Sequence, residues 1–186
     1  MLWVLVVIGV LVVIVGGWVV AQYNGFIKLR NIVEESWKQI DVELHRRYDL
    51  IPNLVETVKG YAGHERNTLE AVTAARAQAA TPGATPAEQA AQENILTGAL
   101  RQLFAVAEAY PDLKANTNFL DLQRQLTETE DRIAAGRRFY NANVRTMNTK
   151  VQTFPPNIVA RLFGFKEAEY FEAEDPTVRA APEVRF

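Results

Sequence analysis

The chain opens with an uninterrupted run of apolar residues. Residues 1–21 contain no charged side chain, and the polar Gln22 follows at once. A helix of about 20 apolar residues is long enough to cross a hydrocarbon core of roughly 30 Å. A cleaved signal peptide would instead need a basic start and a shorter apolar region of about 7 to 15 residues. We therefore expect residues 1–22 to form a retained transmembrane anchor.

Beyond the anchor, apolar residues recur in alternating steps of three and four from Val33 to Val72. This spacing predicts a long amphipathic helix. The rhythm keeps its phase across Pro52, which favours a kink within one helix, although an interior proline costs about 3 kcal/mol. The alternative is a break within residues 48–54 that folds the first segment back as a fourth packed helix.

Three further helices follow from local signals. Thr85, Pro86 and Glu88 have the types and spacing of a helix start, so a second helix is predicted over residues 86–109. A third is predicted over residues 118–153 from its heptad-like apolar positions. A short helix over residues 157–163 should stop at Gly164.

The pattern as a whole predicts an all-α protein. A transmembrane helix precedes an antiparallel, coiled-coil-like bundle of three to four long helices over residues 23–165, which ends in the short helix. An extended tail that contains Pro and Glu covers residues 166–186. Because the middle helix is shorter than its neighbours, we expect part of residues 27–51 to lack a partner within the monomer, which predicts a homo-oligomer.

Composition and motifs argue against chemistry. The 20 basic and 22 acidic residues nearly balance, which does not favour a nucleic-acid partner, and the absence of cysteine excludes thiolate sites. His64-Glu65 opens a helical zinc motif, but Thr68 stands where the second histidine is needed. No glycine-rich phosphate loop is present. We therefore predict a protein that is not an enzyme, with no catalytic residues, no metal, no cofactor and no small-molecule substrate.

Basic residues predict the orientation of the anchor. None precedes it, whereas Lys28, Arg30 and Lys38 follow it. Positive charges favour the cytoplasmic side of a membrane. We expect a single-pass protein of the cell (inner, cytoplasmic) membrane, with its N-terminus outside and its bundle in the cytoplasm.

Several segments together resemble the LemA family of bacterial membrane proteins. They are Ser36-Trp37-Lys38-Gln39-Ile40, Arg46-Arg47-Tyr48-Asp49-Leu50-Ile51-Pro52-Asn53-Leu54-Val55, Arg137-Arg138-Phe139-Tyr140-Asn141 and Phe163-Gly164-Phe165. The resemblance covers the chain from the anchor onward. It implies a single-pass anchor and an antiparallel helical bundle, without an established catalytic activity or active-site residues. Genes of this family often neighbour a membrane metalloprotease, and some relatives occur on organelles of magnetic bacteria, which implies scaffolding at a membrane.

Polar and aromatic residues of these segments, together with His64-Glu65, form a candidate interaction surface. It consists of Trp37, Arg46, Arg47, Asp49, Asn53, His64, Glu65, Arg137, Arg138 and Tyr140. Two structural alternatives compete with this function. The basic pairs Arg46-Arg47 and Arg137-Arg138 can form salt bridges along or between helices. The polar residues near Pro52 can satisfy the backbone carbonyl that proline leaves unpaired.

The leading hypothesis is a membrane-anchored scaffold or adaptor that associates with itself and presents a helical surface to another membrane protein. One alternative is a membrane-shaping or lipid-sensing oligomer. Another is an adaptor or regulator of a membrane protease.

Overall fold

The computed structural model of the protein describes residues 1–172, which contain helices and no strand. The predicted all-α class, with a long apolar helix at the N-terminus, is confirmed. The helices are α1 (Leu2–Ala62), α2 (Arg66–Ala79), α3 (Pro86–Ala107), α4 (Pro111–Lys114), α5 (Thr117–Gln152) and α6 (Pro156–Phe163). Residues 173–186 of the predicted tail lie outside the described residues.

Contacts group the described residues into two compact units. The first unit contains Met1–Gln39 and Arg138–Ala168. The second contains Ile40–Arg137 and the described residues from Glu169 onward. Helices α1 and α5 therefore contribute residues to both units.

The first unit begins with the apolar part of α1, and residues 1–17 are exposed. By length and composition this part of the helix can cross a membrane. Farther along α1, Phe26, Val33 and Ser36 are buried. The ring of Phe26 lies under the Lys150 ammonium of α5, with 4.7 Å between Nζ and the ring centroid. The two helices run antiparallel within this unit.

The expectation that part of residues 27–51 would lack a partner is wrong for the apolar stripe. Val33, Ile40, Leu44 and Ile51 are all buried within the chain. The expectation rested on the shortness of the middle helix. Helix α5, however, has 36 residues and packs farther along α1. The stripe therefore gives no reason for a second copy to bind.

The second unit is a four-helix bundle. It is built from the C-terminal part of α1, from α2 and α3, and from the N-terminal part of α5. Successive long helices run antiparallel. The apolar side chains of its core include Leu44, Leu54, Leu96, Leu103 and Leu126.

The fourth helix of this bundle arises from a chain reversal at a place that was not predicted. Pro52 lies inside α1, as the kink interpretation required, and α1 ends at Ala62. A turn at Gly63 and His64 then leads into α2. The prediction of one helix through to Val72 is wrong, because Val72 lies on α2, where it is buried. The spacing of apolar residues continues in α2 although the chain has changed direction.

The other helix ends follow their local signals. The Thr85 hydroxyl accepts a hydrogen bond from the Glu88 amide at 3.3 Å, and the Glu88 carboxylate accepts one from the Thr85 amide at 2.8 Å. This reciprocal pair caps α3 as predicted. Gly164 ends α6 with φ at 71°, a conformation that favours glycine. The short helix α4 was not predicted.

Pro52 leaves the carbonyl of Tyr48 without its helical amide donor. Arg76 on α2 supplies the replacement, because its Nε donates to the Tyr48 oxygen at 2.7 Å. The expected compensation is therefore present, but it comes from a neighbouring helix and not from Asp49 or Asn53. The side chains of Asp49 and Asn53 are exposed.

We expect Arg76→Met to lower the free energy of unfolding by about 1–3 kcal/mol, because a half-buried carbonyl loses its donor. In a Pro52→Ala background the same substitution should cost less, since the new amide at position 52 can donate to the Tyr48 carbonyl. Urea unfolding of the full chain in detergent, followed by circular dichroism, compares the wild type, Arg76→Met, Pro52→Ala and the double variant. Arg66→Met, on the exposed surface of α2, is the matched control. An equal cost in both backgrounds would contradict the assignment.

Candidate functional site: an exposed helix face and a buried polar network

The residues of the predicted interaction surface divide between exposed and buried positions. Arg46, Asp49 and Asn53 are exposed on one side of α1, and their spacing of three and four keeps them on one face. His64 is exposed in the turn that follows α1, and Arg138 is exposed on α5. These five residues remain candidates for a surface.

The other predicted residues are covered to different degrees. Glu65 is half-buried and accepts a hydrogen bond from the Tyr110 hydroxyl at 3.3 Å. Arg137 is also half-buried. In the first unit, the rings of Trp37 and Tyr140 pack with centroids 5.4 Å apart, and Tyr140 is buried. Tyr140 therefore belongs to the packing of that unit.

Arg47 does not lie on a surface, because only 2% of it is exposed. Its position on α1 points the guanidinium into the bundle, where it contacts three side chains. Nη1 donates to the Glu130 carboxylate at 2.7 Å, and Nη2 donates to the Thr97 hydroxyl at 2.7 Å. Nη1 also lies 3.5 Å from Glu93. The salt-bridge alternative is therefore confirmed for Arg47, between helices and not along one.

Glu93 extends this contact into a buried polar network. The Tyr48 hydroxyl donates to the Glu93 carboxylate. Gln89, one turn before Glu93 on α3, places its Nε2 2.9 Å from the Tyr48 hydroxyl oxygen and 3.0 Å from the carboxylate. The same nitrogen is 2.9 Å from the carbonyl oxygen of Ala79 at the end of α2. Side chains of α1, α3 and α5 and the backbone of α2 thus meet in one place.

Burial determines the protonation of this network. Desolvation raises the pKa of Glu93, while the hydrogen bond from Tyr48 and the charge of Arg47 act in the opposite direction. Desolvation, and then the hydrogen bond to Glu93, raise the pKa of Tyr48 far above its ordinary value. The Tyr48 hydroxyl therefore keeps its proton near neutral pH and remains a donor.

A small cleft opens beside the network. Its volume is about 240 Å³, and Arg47, Leu100, Phe104, Leu126 and Glu130 contribute to its walls. Both terminal nitrogens of Arg47 already bond to protein side chains. Within residues 1–172 no group of three His, Asp or Glu side chains is placed to hold a metal ion. Arg101, Thr127 and Asp131, which are exposed, also line the cleft.

Sequence reasoning missed most members of the network, although one signal was present. Gln89 and Glu93 precede Leu96, Leu100 and Leu103 on α3, in steps of three and four. They therefore occupy positions of the apolar stripe, and both are buried. A polar residue at a core position of a helix needs a buried partner. That partner comes from elsewhere in the sequence, and only the folded bundle identifies it.

We expect Arg47→Met to destabilise the protein by about 3–5 kcal/mol, because it leaves two carboxylates without their shared cation. Arg46→Met, at the adjacent exposed position, should change the free energy of unfolding by no more than about 0.5 kcal/mol. Urea unfolding of the full chain in detergent compares the two variants. Equal effects at positions 46 and 47 would contradict the burial of Arg47.

We expect Glu93 to make the protein less stable as the pH rises from acid to neutral. Its raised pKa means that the folded chain binds this proton more tightly than the unfolded chain. The favourable contribution is complete below pH 4.5, the ordinary pKa of a glutamate, and is lost as the pH rises through the raised pKa. Unfolding at several pH values should therefore show the wild-type stability falling relative to Glu93→Gln.

Glu70→Gln, on the exposed surface of α2, controls for the loss of one carboxylate from the chain. A wild-type advantage over Glu93→Gln that grows with pH would mean that the charge of Arg47 outweighs desolvation, and would contradict the assignment.

Comparisons with known proteins place this architecture in one family. The family model described as LemA family matches residues 36–186, which is more than half of the chain. The match includes the segments that carry Arg47, Pro52 and Glu93. The resemblance seen in the sequence is thereby confirmed.

Individual relatives agree with the family model. Magnetosome protein MamQ 2 of Paramagnetospirillum magneticum is 27% identical over 176 residues, which cover 81% of this chain and 65% of that protein. Protein LemA of Metamycoplasma hominis is 28% identical over 159 residues, covering 84% of this chain and 71% of its own length. The chain thus spans slightly less than two thirds of the magnetosome relative. With the family model matching most of its length, this chain belongs to the LemA family.

Proposed function

We propose that this chain is a membrane-anchored helical scaffold or adaptor, and not an enzyme. Its N-terminal apolar helix holds it in the cell (inner) membrane, with the helical bundle in the cytoplasm. The exposed face of α1 then binds another membrane protein or a second copy of the chain. The observation that carries this proposal is the clustering of Arg46, Asp49 and Asn53 on that face.

The α1 face combines polar and apolar groups in a regular pattern. Val42 is 66% exposed and lies one turn before Arg46, and Asp49 and Asn53 continue the same side of the helix. The steps between these four positions alternate between four and three residues, which is the spacing of a helix-to-helix seam. An exposed valine beside an arginine and a carboxylate supplies both apolar contact and charge complementarity. A partner helix would fit this face.

The buried polar groups support a structural role for the bundle interior. Arg47, Tyr48 and Glu93 are engaged with one another and with side chains of neighbouring helices. A catalytic group needs to reach a substrate from a pocket. The polar groups that remain available to a partner lie on the outside of the helices, which favours binding over catalysis.

The kind of partner determines which form of the proposal holds. The buried stripe of α1 no longer argues for self-association, so a second copy has to compete for the exposed face with a different membrane protein. A membrane protease as the captured partner would make this chain an adaptor or regulator of that protease.

We expect a photoreactive residue at Asp49, in the full chain in its native membrane, to give a discrete crosslinked product. Mass spectrometry then identifies the partner. A product of twice the chain mass supports a homo-oligomeric scaffold, whereas an identified membrane protein supports an adaptor. The same probe at Gln78 on α2 and at Gln102 on α3, which are also exposed, controls for random collision. Equal capture at all three positions would contradict a dedicated face on α1.

A further inference from the structure

Helix α6 exposes an apolar face that the scaffold proposal does not use. Ile158 and Leu162 on α6 are 55% and 71% exposed, and Phe154, in the turn that precedes α6, is 75% exposed. Val159 and Ala160 on the other side of the helix are buried. Side chains four residues apart lie on the same side of a helix. The buried side therefore docks α6 on the first unit, and large apolar groups point away from it.

The place of α6 in the first unit links this face to the membrane anchor. Phe163 at the end of α6 contacts Tyr23 with ring centroids 5.0 Å apart. Phe165 contacts Tyr23 at 5.6 Å and stacks on Phe26 at 4.8 Å. Tyr23 lies two residues after the apolar segment, at the level where tyrosine rings settle between lipid and water. Helix α6 is therefore docked at the end of the membrane-spanning segment.

The segment after α6 is tied to α5, which fixes the position of the short helix. The buried Asn148 side chain accepts from the Ala168 amide at 2.8 Å and donates to the Ala168 carbonyl at 2.9 Å. Gln152 donates to Glu167 at 3.0 Å. The end of the segment from Pro156 to Ala168 is thus held on α5. These bonds, together with the buried Val159 and Ala160, hold α6 on the first unit.

Charges on the first unit suit a lipid surface. Arg161 and Lys166 are exposed on or next to α6, and Lys28 is exposed just beyond the apolar segment. Glu167 and Glu169, both exposed, are acidic neighbours in the sequence, and the Glu167 carboxylate accepts the bond from Gln152. Basic side chains near the end of a span are attracted to anionic headgroups. Apolar groups flanked by basic ones at this level are typical of a helix that lies in the membrane interface.

We propose that α6 lies on the bilayer beside the anchor and inserts Ile158 and Leu162 into the boundary between headgroups and acyl chains. This inference rests on the proposed membrane anchoring. It adds a second membrane contact that fixes how the first unit sits on the bilayer. The occupant of the exposed face is lipid of the same membrane, and not another protein.

The chain contains no cysteine, so single cysteines can be placed without background labelling. We would introduce Ile158→Cys or Leu162→Cys into the full chain and attach an environment-sensitive fluorophore. The protein is then reconstituted into vesicles of phosphatidylcholine and phosphatidylglycerol, with or without lipids that carry a nitroxide near the headgroup. We expect a shift of emission to shorter wavelength and the loss of most of the fluorescence with nitroxide lipids.

Two labelled control positions make the result specific. Ala142→Cys is exposed on α5 in the same unit, about 12 Å farther along that helix than Lys150, and should not be quenched. Ile8→Cys lies in the apolar segment and reports on the anchor itself. If the label at position 8 reports insertion into the bilayer but the labels at positions 158 and 162 are not quenched, the inference is overturned and the anchoring stays intact. Failure at position 8 would instead overturn the anchoring on which both proposals rest.

A protein occupant gives a different result. Protection of positions 158 and 162 from aqueous iodide, without quenching by nitroxide lipids, would mean that a second copy or another protein covers α6. That outcome would also overturn the inference.

Discussion

The burial of one positive charge, that of Arg47, is the constraint on which the four-helix bundle depends. Removing a guanidinium from water costs several kcal/mol, and only well-placed acceptors offset that cost. Glu130 of α5 and Thr97 of α3 accept its hydrogen bonds, and Glu93 of α3 lies within ion-pair distance. These contacts fix the axial position of α1, α3 and α5 relative to one another. An apolar core alone would tolerate a shift of one turn.

The same region connects α2 to the bundle through polar contacts. Tyr48 follows Arg47 on α1, and its carbonyl receives the Arg76 hydrogen bond that replaces the one lost to Pro52. Proline within a helix usually weakens it, but here the unpaired carbonyl becomes an acceptor for a neighbouring helix. A charged residue and a proline that look anomalous in α1 therefore serve the same purpose. Each makes α1 depend on a partner that only the correct fold supplies.

Because these polar residues bond to one another inside the bundle, binding to partners falls to the outer surfaces. Several residues that resemble a functional motif in the sequence, Arg47 and Tyr140 among them, are buried and hold the helices together. Those that remain exposed lie on α1, in the turn after it and on α5, and the exposed apolar groups of α6 lie beside the end of the apolar segment. A helical protein with these features is suited to binding partners at a membrane, with its interior devoted to keeping the two units folded.

Local signals in the sequence predicted most of the helices but not the contacts between them. The Thr85 cap and the Gly164 stop act within a few residues, so the sequence alone located them. The end of α1 at Ala62 was missed because apolar spacing persists into α2, and spacing does not record a change of direction. The burial of Arg47 depends on residues 46 to 83 positions away in the chain. Such partners are brought together only by the fold.

The most direct test of this account is a double-mutant cycle between Arg47 and Glu93, measured by urea unfolding of the full chain in detergent. Because the two side chains stabilise the bundle through each other, we expect Arg47→Met combined with Glu93→Gln to be less destabilising than the sum of the single substitutions, by at least about 1 kcal/mol. Effects that add to within about 0.5 kcal/mol would contradict it, and would mean that Arg47 is buried for a reason unrelated to Glu93.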